Sequence, residues 1–279
     1  MNNLKFYFHS ERSEESLPFT DVRHSRQILL PEIGVAGQTR LAGSSVLVVG
    51  AGGLGAPVLM YLTAAGVGRI GIIDGDAVSE SNLNRQVLYG TGDVGAPKAL
   101  RAAERLRLID PVAEITAFSE ALTENNAVAR IKGYDALVLC LDSTEARHVA
   151  NRACVGAGIP YVDAGVHGFT GTLTTVIPGK TACYACIHTP SSIPAPARAP
   201  APTSESAPAS TPAPAPVPVL GAMAGWIGCA EALAAVRLLL GVPDPSMGAL
   251  LFFDGAEMSV DRITLERDPG CAVCGKIFI

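Results

Sequence analysis

Short apolar runs separated by amphipathic stretches repeat along the chain as far as Gly165. Ser45–Val49, SVLVV, is nearly free of polar positions, as a strand covered on both faces requires. Arg69–Ile73, Ala113–Phe118, Asp135–Cys140 and Tyr161–Ala164 read the same way. Helical periods fall between them, over Leu54–Ala65, Pro97–Leu108, Thr123 to about Lys132, and Ser143 to about Ala157. Thr123 and Ser143 are expected to cap their helices, and Pro57 and Pro97 suit first turns. Asp21–Leu30 and Val35–Leu41 predict two short helices ahead of the first strand. Strands alternating with helices at this spacing predict an α/β fold with a parallel, doubly wound sheet.

After Gly165 the pattern changes. Thr170–Val176 alternates between apolar and polar positions, and Leu250–Asp254 and Ser259–Leu265 are further strand candidates. They are expected to extend the sheet with antiparallel strands. The most apolar helix candidate, Trp226–Val242, is interrupted by Glu231 and Arg237 and reads as too short for a membrane span. Two stretches carry no period. Residues 1–18 read as an unpacked N-terminal extension. Residues 190–218 hold 10 of the 20 prolines and almost no large apolar side chain. This insert is expected to be polyproline-like or disordered, with a reach of ~90 Å when fully extended.

The 279 residues suffice for a sizeable core. Only 17% are charged against 48% hydrophobic, which predicts an oligomer with a buried interface. The net charge of −5 and the absence of basic blocks argue against a nucleic-acid partner. The N-terminal stretch lacks the continuous apolar core of a signal peptide, so a cytoplasmic protein is expected.

The stretch VVGAGGLGAP sits between the first strand and its helix. Gly50, Gly52 and Gly55 fit G-x-G-x-x-G, with Gly53 as a fourth glycine, and a helix N-terminus beyond them offers free N–H groups to phosphate. Asp74 ends the next strand, where a carboxylate can take ribose hydroxyls. On these residues alone an NAD-dependent oxidoreductase leads. The loop that follows, DGDAVSESNLNRQ, and then Lys98 shift the balance. Asn82, Arg85 and Lys98 are more than a dinucleotide needs, whereas three phosphates and a leaving pyrophosphate require added cations. Asp142 stands at the C-terminal edge of a parallel strand, where it could hold Mg²⁺ or cap the next helix. Seven cysteines argue against a fully paired disulfide framework. Cys183/Cys186 and Cys271/Cys274 form two C-x-x-C pairs, suited to a structural Zn²⁺ or, alternatively, to a redox dithiol.

Together GAGGLG, SNLNRQ, PKA, Asp142 and the two C-x-x-C pairs resemble the MoeB/ThiF/HesA family, bacterial relatives of ubiquitin-activating enzymes. The resemblance covers about residues 20–275 apart from the insert. It implies a Rossmann-like domain over residues 19–279, interrupted at 190–218. That domain would bind ATP rather than NAD, without a G-x-x-x-x-G-K-[ST] loop. The implied reaction adenylates the C-terminal glycine carboxylate of a small ubiquitin-like sulfur carrier ending in Gly-Gly. The nucleotide would lie on Gly50, Gly52, Gly53 and Gly55. Asp74 would hold ribose, Asn82, Arg85 and Lys98 the phosphates, and Asp142 Mg²⁺. Arg26 would reach the neighbouring subunit's site in a homodimer. Many relatives carry a reactive cysteine before the helix that here begins GWIG, but Ile187–Ala224 contains none. A non-catalytic ATP-binding scaffold is therefore kept as a further alternative beside the oxidoreductase.

Overall fold

The computed structural model describes residues 22–188 and 218–275. The N-terminal extension and all but Pro218 of the proline-rich insert lie outside the described residues.

Among the described residues, eight strands form one sheet: β1 (Ser45–Val49), β2 (Arg69–Ile73), β3 (Glu114–Phe118), β4 (Ala136–Leu139), β5 (Tyr161–His167), β6 (Thr170–Val176), β7 (Ala249–Asp254) and β8 (Ser259–Thr264). Their order is β3-β2-β1-β4-β5-β6-β7-β8. The first five are parallel and the last three antiparallel, as the change of pattern after Gly165 predicts. The strand order reverses between β1 and β4, which opens a crevice at their carboxyl ends.

Among the described residues, eight α-helices complete the fold: α1 (Ser25–Ile28), α2 (Gly34–Ala42), α3 (Gly55–Ala64), α4 (Lys98–Ile109), α5 (Ala127–Ile131), α6 (Thr144–Ala157), α7 (Tyr184–Ile187) and α8 (Gly221–Leu240). The two faces of the parallel strands feed two cores. Val46 and Val48 of β1 join α3, α4 and α8 on one side. Leu47 and Val49 join α5, α6 and the C-x-x-C segments on the other. This two-sided burial is why β1 lacks the alternation of a half-exposed strand.

Several boundaries differ from the sequence pattern for identifiable reasons. α1 ends at Ile28, short of Leu30, whose neighbour Pro31 disfavours helical backbone before it. Thr123 caps no helix. Its N–H is taken by the Asn126 side chain at 2.7 Å, and α5 starts after Asn126. Ser143 does cap α6, accepting the Ala146 N–H at 3.1 Å. β5 continues to His167 because β6 pairs with it residue by residue. α8 begins at Gly221, ahead of Trp226, and spans 20 residues. Its glycines lower helix propensity but admit close packing: a Cβ on Gly228 would lie 2.6 Å from the Leu54 carbonyl oxygen. By length and composition α8 could cross a membrane, which corrects the expectation that it is too short. In this fold half of it is buried, against α3, β4, β5 and β6, as a core helix.

Candidate functional site: a cleft at the strand ends and a four-thiol cluster

The crevice beyond β1 and β4 is a cleft of about 670 Å³. Its wall includes Gly50, Gly52 and Gly53 from the glycine turn, together with Asp74, Arg85, Lys98 and Asp142. Gly55, at the end of the turn, and Asn82 are not part of this wall. Arg26 is exposed on α1 and does not line this chain's cleft.

Only glycine fits the two ends of the turn. Gly50 has φ +97°, and a Cβ there would lie 2.4 Å from the Cys140 carbonyl oxygen. A Cβ on Gly55 would lie 2.0 Å from the Gly50 carbonyl oxygen. Asp74 ties β2 to this turn by accepting the Ala51 N–H at 2.7 Å. Its other carboxylate oxygen accepts the Asp76 N–H at 2.8 Å. Tyr89 supports the turn from below, donating to the Ala51 carbonyl at 2.8 Å. Burial, with Asp74 and Asp93 nearby, pushes the Tyr89 phenol up, so it remains a proton donor.

The cations approach the turn from two loops. The Arg85 stem passes over Gly53, with its Cγ 3.4 Å from where a Cβ would sit. Its guanidinium donates to the Ser81 carbonyl at 2.9 Å and to Asn84 at 3.0 Å. Lys98 opens α4, and its buried side chain ends 2.7 Å from the exposed Asp76 carboxylate. The Asn82 side chain accepts the Ser79 N–H at 3.2 Å and closes the loop that carries Arg85. Asp142 is exposed at the cleft, beyond the end of β4.

The wall also takes in Gln86, Arg147 and Cys140, to which the sequence assigns no role. Gln86 is buried in the wall, and its Oε1 has no hydrogen-bond partner among the described residues. Arg147, one turn into α6, pairs with Asp163 and donates to the Leu141 and Ala164 carbonyls, joining the ends of β4 and β5. Burial pushes the Asp163 carboxyl up to about 6, against the pull of Arg147. Cys140 completes the wall, and its thiol donates to Glu231 of α8 at 3.4 Å. Only Gln86, next to Arg85 in SNLNRQ, had a sequence signal within reach.

The two C-x-x-C pairs meet behind α6. The sulfurs of Cys183, Cys186, Cys271 and Cys274 all lie within 4.8 Å of one another. Cys183 lies 3.9 Å from Cys186 and 3.8 Å from Cys271, and Cys186 lies 3.4 Å from Cys274. Four Zn–S bonds of ~2.3 Å at tetrahedral angles put sulfurs ~3.8 Å apart, so the donor set fits zinc. The spacing exceeds a disulfide bond, and all seven cysteines are free. Burial pushes the Cys186 thiol up to about 11, a cost that a bound dication removes. Tyr184, between the first two cysteines, meets His148 of α6 edge-on and lies tilted against His188.

Residues 24–273 match the ThiF family. The chain belongs to the ThiF family. It is 40% identical to the sulfur carrier protein adenylyltransferase of Thermus thermophilus, over 91% of this chain and 90% of that protein. It is 37% identical to the SAMP-activating enzyme E1 of Haloferax volcanii, over 91% of this chain and 88% of that one. The adenylyltransferase and sulfurtransferase MOCS3 of Mus musculus is 42% identical, but the chain spans only 53% of its length. Among solved structures, E. coli MccB crystallised with ATP superposes with a TM-score of 0.73 at 23% identity. That alignment covers 91% of this ThiF-family chain and 75% of MccB, a likeness of fold.

Proposed function

We propose that this ThiF-family protein uses ATP to adenylate the C-terminal glycine carboxylate of a small ubiquitin-like sulfur carrier ending in Gly-Gly. The observation that carries the reading is one cleft joining the glycine turn to Asp74, Arg85, Lys98 and Asp142. The near full-length similarity to the Thermus enzyme supports it.

A carboxylate oxygen of the carrier attacks the α-phosphorus of ATP. The new acyl–oxygen–phosphorus bond replaces the bond to the β-phosphate, and pyrophosphate leaves. Both reactants are anions, so the step needs cations placed where charge accumulates rather than a strong general base. The glycine turn and the N-terminus of α3 receive phosphate through backbone N–H groups. Asp74 holds ribose, and Arg85 and Lys98 face the phosphates. A magnesium ion held by Asp142 would supply further neutralisation on the phosphate oxygens. A zinc ion held by the four cysteines would pin the C-terminal segment to α7 and take no part in the chemistry, because four thiolates leave no open position.

The active form is a homodimer in which Arg26 completes the neighbouring cleft. The protein works in the cytoplasm, a reducing compartment in keeping with four clustered free thiols. Against a dinucleotide oxidoreductase stands the number of cations in the wall: Arg85, Lys98 and Arg147. Against a scaffold stands the retention of Arg85, Lys98 and Asp142 together.

Exchange of labelled pyrophosphate into ATP, dependent on a carrier ending in Gly-Gly, tests the reading. Carrier-dependent exchange is expected. Tight binding of NAD without affinity for ATP and Mg²⁺ would overturn it.

A further inference from the structure

Glu231 is an acid that the proposed chemistry does not use. It sits within α8 at 0% exposure. Its Oε2 accepts the Cys140 thiol proton at 3.4 Å, and its Oε1 has no hydrogen-bond partner among the described residues. A buried carboxyl without a cation is costly and requires a reason.

The charged and titratable groups around it are few. β4 leads into Cys140, β5 contributes Asp163, and α6 contributes Arg147. α3 and β6 carry no charged residue. The one charge on α2, Arg40, sits against Gly241 at the far end of α8. Arg147 is already committed to Asp163 and to two carbonyl oxygens. One cation between two buried acids leaves the second acid without a partner. Burial first, then the charge of Asp163, push the Glu231 carboxyl well above the usual range. Burial first, then Glu231, push the Cys140 thiol up as well. Burial keeps the Cys140 thiol protonated at neutral pH, so Cys140 is a hydrogen-bond donor here and not a nucleophile.

Cys140 is placed where its side chain matters. Its N–H bonds to the Val49 carbonyl at 2.8 Å, so it continues the pairing of β4 with β1. Its Cβ lies 3.5 Å from where a Cβ on Gly50 would sit, and 3.6 Å from the same point on Gly55. Cys140 therefore flanks both ends of the glycine turn. A thiol on this Cβ has three staggered positions, and the hydrogen bond to Glu231 selects one of them.

We propose that Glu231 is a positioning residue for nucleotide binding, holding the Cys140 thiol in the interior so that the wall behind the glycine turn keeps its phosphate-receiving shape. The inference rests on reading the cleft as an ATP site. Glu231 touches no substrate and acts only through Cys140. Its second oxygen then needs no partner for this role, because one acceptor oxygen suffices to fix the sulfur.

A double-mutant cycle on the full chain, read as the equilibrium dissociation constant for ATP with Mg²⁺, tests it. Glu231→Gln keeps an acceptor oxygen and is expected to retain parental affinity. Glu231→Leu has no acceptor and is expected to weaken ATP binding about tenfold, while the same change in a Cys140→Ala background costs less than about twofold. With no thiol to hold, the acid has nothing to do. Turnover at saturating ATP should change less than affinity does. If Glu231→Leu fails to fold, Glu231→Asp withdraws the acid from the thiol by one methylene and is expected to show the same dependence on Cys140. Equal losses in both backgrounds, or no loss in either, would overturn the inference. A parent that binds no ATP would overturn the nucleotide reading and this inference with it. A parent that binds ATP beside a folded Glu231→Leu variant that binds it equally well would overturn this inference alone.

Discussion

The ammonium group of Lys98, at the first position of α4, lies 2.7 Å from a carboxylate oxygen of Asp76. A helix N-terminus is an unfavourable place for a cation, and the exposed acid compensates it. On the proposed reading, an arriving phosphate must take Lys98 from Asp76. A pair with one exposed partner is worth at most about 1 kcal/mol, so the exchange costs less than about sixfold in affinity. We predict that Asp76→Asn changes ATP affinity by less than that. Lys98→Ala should lower pyrophosphate exchange by about 10²–10³-fold, the usual loss on removing a charge-stabilising group. An Asp76→Asn effect as large as that of Lys98→Ala would show that Asp76 itself contacts the nucleotide.

Asp142 is exposed and makes no part of either core, so its removal should cost little stability. We predict that Asp142→Ala abolishes Mg²⁺-dependent pyrophosphate exchange while the melting temperature stays near that of the parent. Full activity in Asp142→Ala would remove the metal-binding role from this residue.

These site residues were legible in the sequence to different degrees, for physical reasons. Gly50 and Asp74 sit at the ends of buried strands, and a doubly wound sheet brings such ends together wherever the pattern is read correctly. The two C-x-x-C pairs were equally plain, because four clustered thiols admit few uses. Arg147 was hidden, since one arginine on an amphipathic helix looks like any solvated charge. It becomes part of the cleft only through Asp163 and the carbonyls at the ends of β4 and β5. Glu231 reads in the sequence as an interruption of an apolar helix, although the fold buries it completely. Asn82 is a loop-closing group in this structure, a role that its motif neighbours Arg85 and Gln86 do not share.

One zinc ion per chain is expected in protein prepared without chelators, measured by elemental analysis. Cys274→Ala should lose it. Because Cys271 and Cys274 come from the C-terminal segment, limited proteolysis of that variant should begin there while ATP affinity changes little. A zinc-free parent that keeps its C-terminal segment protected would refute the metal reading of the cluster.

Asp163 makes stability depend on pH in an unusual direction. Its carboxyl is pushed up to about 6 from the ordinary 3.8, so between these values the folded chain holds more protons at this site than the unfolded chain. The contribution of Asp163 is thus greatest at low pH and is lost as pH rises through that window. The difference is worth up to about 3 kcal/mol. We predict that urea unfolding of Asp163→Asn, which cannot titrate, gains stability relative to the parent from pH 4 to pH 7. Any fixed offset from the weakened contact with Arg147 does not alter this slope. Parallel pH profiles for the two proteins would contradict it.

Arg26 offers the sharpest test of the shared site. It is exposed on α1, a helix held against α3 by the Gln27 side chain, which donates to the Ala65 carbonyl at 2.8 Å. It does not line the cleft of its own chain. On the proposed reading it acts in the partner's cleft, as an arginine supplied in trans. Arg26→Ala and Lys98→Ala homodimers should then each fall at least about a hundredfold in pyrophosphate exchange. A mixed dimer of the two chains contains one site with Lys98 from its own chain and Arg26 from the other. The second site lacks both cations. Such dimers, confirmed by native mass, should recover up to about half of parental activity per dimer, since one of the two shared sites is whole. If Arg26 served its own chain, each site of the mixed dimer would lack one cation. Activity would then stay at the level of the mutant homodimers, and that outcome would move Arg26 out of the partner's cleft.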